Sequence, residues 1–567
     1  MSFRRLLLLL TALPGVLPAQ SHHQLEATLA VPFQGAADAS RRFLVQAQFP
    51  GAPAGTRLFW ETVVRSPDGQ RLSTQQGEHA LSGTGVRDAL DVAWPGATGV
   101  RTDALADGFY AAELRATAIE PWLLTRLASL PDGPTRTAFA LAWAPNGVVE
   151  QSWEFQIGAP PAPQLPDFAA LPYLHGPRVQ PAGALPYTVY LGNFHSQSNH
   201  SDGGGNVTTC TSSQGAGNGQ FGPADAFAYA DNHGLDFLMV SEHNHYFDGS
   251  SGTASGASAA AALALYQSGL QAAADYNAAH PGFLAIYGME WGVIDGGGHL
   301  NVIGSDQLWG WEVNNLGQLF AHVLTPRSDY PALYAQMQAS ATIGQFNHPD
   351  SNQFLVGGIT SGYSAAGDEV MVLSEILNTS AFSNRTDEGE TGQSSYAGRF
   401  NTFLERGFHV APSSNQDNHC ANWGASAPNR TGVLIPNGTA LSPASMMEAL
   451  RARRVFATAD KHGQIVLTGN GHVMGERFEN SGPLTLTVGY ASGNGHTVAQ
   501  VQIFEGVPQR NGAVSTLVNA ASHHFTPSAG PHVYYARITQ DDGKLLWSAP
   551  LWVTQVLGDP VFADGFE

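Results

Sequence analysis

TVYLGNFHSQSNHSDGGG, residues 188–205, and LDFLMVSEHNH, residues 235–245, decide how the rest of this chain is read. Each is an apolar run of strand length that ends abruptly in imidazoles, carboxylates and amides. Between them PADAFAYADNH has the apolar spacing of a short helix. A strand, a helix and a second buried strand form a β-α-β unit, whose strands run parallel. The same alternation continues outward. An Ala-rich helix is predicted over roughly 257–279, then strands at FLAIYGMEWG and HLNVIG and a helix at YPALYAQMQAS. Strands follow at ATIGQFNHP, VMVLSEILN and GFHVAPSSNQDNH, and then a helix at SPASMMEALRARRVF, with Ser442 as cap and Pro443 in its first turn. The predicted fold class is α/β, either a barrel or an open doubly wound sheet.

The flanks have a different texture. Residues 20–160 carry short alternating runs (RRFLVQAQF, RLFWETVV, GFYAAELRATA, QSWEFQIGA) separated by turns such as SPDG and PNG, the pattern of an antiparallel β-sandwich. A Pro-rich joint over 161–186 is a linker or an extended strap across the next domain. The α/β region spans 187–462, a second β-rich domain covers 463–556, and 557–567 is an acidic tail. The start, MSFRRLLLLLTALPGVLPAQS, is expected to be a signal peptide over 1–19, which places the mature protein in the periplasm or outside the cell. No later run reaches the roughly 20 apolar residues that span a bilayer.

The 567 residues include 46 acidic and 26 basic ones, a formal charge of −20, which argues against binding nucleic acid over a broad surface. The two cysteines, Cys210 and Cys420, exclude a disulfide scaffold, though export makes one bridge between them plausible.

Chemistry-bearing residues fall repeatedly where predicted strands end. His195 follows VYLGNF, Glu242 and His243 follow DFLMVS, and Glu290 follows LAIYGM. His348 follows IGQFN, Glu375 follows MVLS, and Asp417 and His419 follow HVAP. In parallel α/β folds that edge is where active sites are built. A lone strand-end histidine is usually structural, but six strands delivering such residues to one rim call for a cation, because burying them together without one is costly.

The set NFHSQSNHSDGG, VSEHNH, YGMEWG, GHLNVIG, FNHPD, LSEILN and NQDNH resembles the PHP (polymerase and histidinol phosphatase) superfamily. It is most similar to the exported branch grouped with carbaryl hydrolases, over residues about 188–460. The resemblance implies a distorted (β/α)7 barrel, here flanked by N- and C-terminal β-sandwich-like domains. It also implies a cluster of two or three divalent ions (Zn, Mn or Fe) and hydrolysis of a phosphoester or another ester. The ligands it implies are His195, Gln197, Asp202, His243, Glu290 as the bridging carboxylate, His299, His348, Asp417 and His419.

Two departures stand out. Where the family opens with His-x-His, this chain has His195-Ser196-Gln197, and an amide oxygen binds a transition metal far more weakly than imidazole. His200 is a candidate replacement. Glu242 stands where the family has Asp, and its extra methylene suits it to accept the second ring N–H of a ligand histidine. Glu375 is expected in a similar supporting role. Asn244 and His245 are candidates for supporting the site or touching substrate. Gly203 to Gly205 permit a tight turn beside the metals. Converging ligands would also bring Cys210 and Cys420 to the same rim, where a disulfide would pin the loop carrying Asp202; two free thiols are the alternative.

The expected mechanism is attack by metal-activated hydroxide on a small-molecule ester, phosphoester first, with Glu290 bridging and His243 or His245 as general acid. The alternatives are a non-catalytic, metal-stabilised secreted protein that binds glycan or cell surface, and a nucleic-acid-processing enzyme, which the charge and the export signal disfavour.

Overall fold

The computed structural model describes residues 25–83, 86–145, 147–173, 184–293, 297–509 and 512–557. The expected signal peptide, His22, His23, residues 174–183 of the Pro-rich joint and nearly all of the tail lie outside them.

The N-terminal region forms two antiparallel sheets. One has three strands, with Arg41–Gln48 between Glu26–Ala30 and Asp88–Trp94. The other has four, in the order Arg71–Ala80, Arg57–Arg65, Gly108–Ile119, Val149–Ile157. Alternate residues of both sheets (Phe43, Val45, Trp94, Tyr110, Leu114, Phe155) meet in one core, the inner layer of a sandwich.

The main sheet of the central region runs through β1 (Tyr187–Asn193), β2 (Phe237–His243), β3 (Leu284–Trp291), β4 (Leu300–Ile303), β5 (Ile343–Phe346), β6 (Met371–Thr379) and β7 (Ala411–Asn415). They pair in that order. All neighbours are parallel except β4, which is antiparallel to both β3 and β5. The exception has a simple cause. Only eight residues join β3 to β4, whereas a parallel return needs a crossover of a dozen or more.

The outer ends of this arc are bonded to each other. The Asp417 amide donates to the His195 carbonyl at 3.0 Å and the Gln197 amide to the Asn418 carbonyl at 2.9 Å. The Phe194 amide donates to the Asn415 side chain at 2.7 Å. One face of the strands buries Val189, Met239, Leu284, Ile303, Ile343, Leu373 and Ala411 in a common cluster. The other face (Leu238, Val240, Ala285, Tyr287) packs on the helices Pro223–Asn232 and Ala259–Ala279 through Phe227 and Tyr266. Both faces are dry, which is why these strands are continuous apolar runs in the sequence.

The strand Arg430–Pro436 extends the sheet beyond β1, followed by Val455–Thr458, which pairs with Leu545–Ser548. One sheet of the C-terminal region is therefore hydrogen-bonded to the central one. Its second sheet, containing Gly463–Gly469 and Leu484–Ser492, packs across it through Ile465, Leu467, Leu486, Ile503, Tyr534 and Leu551. The described part of the Pro-rich joint is a strap: Leu171 exchanges backbone bonds with the Gln464 amide at 3.0 and 2.9 Å, and Tyr173 bridges to Val189. The N-terminal sandwich is clamped to the central rim. Arg87 donates to both oxygens of Glu390 at 2.9 and 3.0 Å, Ser380 Oγ and the Ala381 amide donate to Glu26, and the Ser395 amide donates to Gln151.

Candidate metal centre

Strand direction explains how residues far apart in sequence come to one mouth. His195 and His348 lie two residues beyond β1 and β5, Glu290 and His243 in the last turns of β3 and β2, and Asp417 and His419 just past β7. His299 precedes its strand, yet β4 runs the opposite way, so its start falls on the same rim. All seven are buried, as is Asp202 in the loop after β1.

Together with Asp202 they form three sets, within each of which the ligand atoms lie within 4.8 Å of one another: His195, His348 and Asp417; Asp202, His243 and His419; and His243, Glu290 and His299, the last two sharing His243. Glu290 lies centrally, with His195 Nε2 at 3.0 Å, His299 Nδ1 at 3.1 Å, His348 Nε2 at 3.2 Å and His243 Nδ1 at 3.4 Å. Both carboxylate oxygens of Asp202 are buried and accept no hydrogen bond among the described residues, an arrangement that costs free energy unless a cation lies against them. The donor set of imidazoles and carboxylates suits Zn, Mn or Fe. These buried clusters can hold metal ions.

The electrostatics agree with that fit. Burial opposes charge on His419, yet the carboxylates of Asp202 and Asp417 outweigh it and hold the metal-free imidazole at about 9. Glu290 is driven below the usual carboxylate range, because His195, His299 and His243 overcome the desolvation that would raise it. A divalent ion supplies the same positive charge without the protons. His348 and Asp417, both in the first set, hold backbone φ of 27° and 49°, a left-handed conformation that side-chain-bearing residues rarely adopt. Such strain concentrates at functional sites.

The supporting residues divide unexpectedly. Glu375 behaves as anticipated: its Oε1 lies 2.9 Å from His195 Nδ1, fixing the ring whose Nε2 faces the centre, and its Oε2 accepts from the His348 amide at 2.6 Å. Glu242 does not orient a histidine. Successive strand residues face opposite ways, so with His243 turned to the cluster Glu242 points behind it, accepting from Ser198 and Ser201 and pinning the loop that carries Asp202. Burial raises its carboxyl to about 7. Gln197 enters the cluster as a donor: its amide nitrogen lies 2.6 Å from Glu290 Oε2 and its oxygen accepts from Ser201 at 3.1 Å. His200 stays out, with Nδ1 bonded to the Tyr287 hydroxyl at 2.8 Å.

Asn244 is also not presented to substrate. Its amide accepts from Gly292 N and donates to the Trp309 carbonyl, tying two loops together. His245 stacks on Trp311 with centroids 5.9 Å apart, and burial lowers it to about 3, so at neutral pH it carries no proton to give as a standing acid. His243 is shared between two of the ligand sets, which removes it from that role as well.

Cys210 and Cys420 are bridged, with Cα atoms 5.7 Å apart. The bond ties the loop after Asp202 to the neighbour of His419. Gly204, in the same loop, has φ of 67°, and a Cβ there would fall 2.1 Å from the Phe221 carbonyl oxygen, so only glycine fits. A disulfide is compatible with an exported protein. Among the described residues no helix is long and apolar enough to cross a membrane.

Several site residues carried no sequence signal. Asn347 donates to Glu290 at 2.9 Å and to Asn301 at 2.8 Å, and Asn415 donates to Glu375 at 2.9 Å. Tyr396 and Arg399, on a short helix after β6, line the cavity beside His348 and Asp417. Amides and a tyrosine at strand ends are too common to single out without the fold.

No protein-family model matches this chain, and no curated protein matches it. Among 67 matching chains of solved structures are β-glucuronidases from Parabacteroides merdae (9% identity over 95% of this chain and 65% of that one, TM-score 0.16) and Bacteroides uniformis (10%, 94% and 61%, TM-score 0.16). A putative β-galactosidase from Bacteroides fragilis also matches (8%, 94% and 73%, TM-score 0.15). The chain spans less than two thirds of the length of these two glucuronidases. At such TM-scores the likeness decides neither fold nor activity.

Proposed function

We propose that this protein is an exported metal-dependent hydrolase of the PHP type, its seven central strands forming the distorted (β/α)7 barrel of that family, and that it cleaves a small-molecule ester. The observation that carries the reading is the convergence of eight buried imidazoles and carboxylates from six strand ends into three neighbouring ligand sets, two of which share His243, around Glu290.

His195, His348 and Asp417 would hold one ion, Asp202, His243 and His419 a second, and His299 with Glu290 and His243 a third. Bound there, divalent ions supply a water acidic enough to be hydroxide near neutral pH and positive charge for the developing oxyanion. The chain's own part is positional. Glu290 takes its place between the sets, held by the amides of Gln197 and Asn347. Glu375 locks the His195 ring. Gln197 supports Glu290 instead of binding metal, and the three sets stand without it. With His245 neutral, the leaving oxygen takes its proton from water.

The test is metal analysis and turnover on protein purified without chelator. Two or three equivalents of Zn, Mn or Fe, with hydrolysis of an aryl ester or p-nitrophenyl phosphate that His243→Ala abolishes, is the expected result. Tight metal with no turnover of either substrate indicates a metal-stabilised binding protein and overturns the proposal.

A further inference from the structure

A cavity of about 290 Å³ opens beside His348 and Asp417. Its opposite wall does not come from the central domain. It is built by Glu26, Glu150 and Gln151, from two edge strands of the N-terminal sandwich. This wall is held at fixed height over the ligands, because Glu26 accepts from Ser380 Oγ at 2.7 Å and the Ala381 amide at 3.1 Å, and Gln151 from the Ser395 amide at 2.7 Å. A molecule whose reacting atom reaches the metal ligands from this cavity rests its remainder against the N-terminal domain.

The charges there are unequal. With Asp417 committed to a cation, the lining carries Glu26, Glu150 and Asp350 against one guanidinium, Arg399, whose field falls on Asp350. The donors to Glu26 are neutral and leave its charge in place. Glu150 pairs with Arg115 at 3.2 Å, but both side chains are about half exposed, so solvent screens that pair. The buried carboxylates Asp202, Glu290, Glu375 and Asp417, with Glu242 raised to about 7 by burial, offset most of the charge that divalent ions would bring.

Resting on the hydrolase reading, we propose that the N-terminal domain is a working wall of the substrate site, and that it selects uncharged or cationic esters against anionic ones. Selection by an unfavourable field against the wrong substrate is as effective as added attraction to the right one.

Three acetate esters that differ in charge test this on the metal-loaded full chain: acetylthiocholine, 4-nitrophenyl acetate and acetylsalicylate. Glu150→Lys, at an exposed position, is expected to shift the acetylthiocholine-to-acetylsalicylate ratio of kcat/KM by about three- to tenfold towards the anion, the effect of a reversed charge across a partly screened cavity. Glu150→Gln falls between, and the uncharged 4-nitrophenyl acetate shifts less than either charged ester. A ratio within about twofold of the parent in both variants overturns the inference. If no ester is turned over, calorimetric binding of choline and benzoate reads the same wall. A preference for choline that Glu150→Lys reverses upholds the wall while the hydrolase reading falls. Equal binding of the two, or binding of neither, overturns the wall.

Discussion

His348 and Asp417 each sit in a left-handed backbone conformation, at a cost of about 1–3 kcal/mol per residue. Both belong to the same candidate ligand set. At this scale the predictions separate ligand from support. His243→Ala removes a ring that two sets share, so bound metal should fall by more than one equivalent and turnover should be lost. Asp202→Asn should lose one ion only, read by metal analysis. Glu375→Ala keeps every ligand but frees the His195 ring, and metal affinity should drop about 10–100-fold, measured by chelator competition. A Glu375→Ala protein with parental affinity removes Glu375 from the site. The candidates His195, His243, Glu290 and His348 were legible in the sequence because each ends or closely follows an apolar run. The role expected of Glu242 was not, although the alternation of strand side chains already implied that 242 and 243 face opposite ways.

Among the elements, the loop between β1 and the helix Pro223–Asn232 does most to complete the centre, since it carries Asp202 on no regular structure of its own. Three devices hold it: Glu242 on Ser198 and Ser201, Gly204 against the Phe221 carbonyl, and the Cys210–Cys420 bridge. Replacing both cysteines by serine should destabilise the protein by about 2–5 kcal/mol in denaturant titration. It should also weaken the ion at Asp202 more than the one at His195. Equal weakening of both would mean that the bridge steadies the whole fold and not this loop. The antiparallel β4 belongs to the same scale. HLNVIG is visible as a strand, but its direction followed from the length of the connection, and that direction is what brings His299 to the rim.

For the whole molecule, the clamp between the sandwich and the central domain should depend on pH. Burial pushes the Glu390 carboxyl up, but the Arg87 guanidinium and the Gly392 amide outweigh it, leaving it below the usual range. A carboxyl with a depressed folded value contributes stability above its unfolded value of about 4.3, and loses it as pH falls through the folded value. Contacts of the N-terminal domain should therefore be firm at pH 7 and loosen below about pH 4, seen as faster hydrogen exchange in the strand Glu26–Ala30. Arg87→Ala leaves a buried carboxylate unpaired, at a cost of about 3–5 kcal/mol, and should loosen that strand already at pH 7. Unchanged exchange in this variant would show that Glu26 and Gln151 hold the domain without the clamp.

From the order of residues alone came the alternating texture of the central region, the sandwich patterns on either side, and the strand-end residues that offer themselves to metal. These are local properties: side-chain periodicity records which faces are dry, and a ligand at a strand end is marked by the apolar run before it. Tertiary structure decided the rest. It turned Gln197 towards Glu290, enclosed His245 in a neutral pocket, and laid Glu26 and Glu150 across the mouth from residues more than a hundred positions apart. Contacts of that kind depend on how separately formed elements pack, and no periodicity along the chain encodes them.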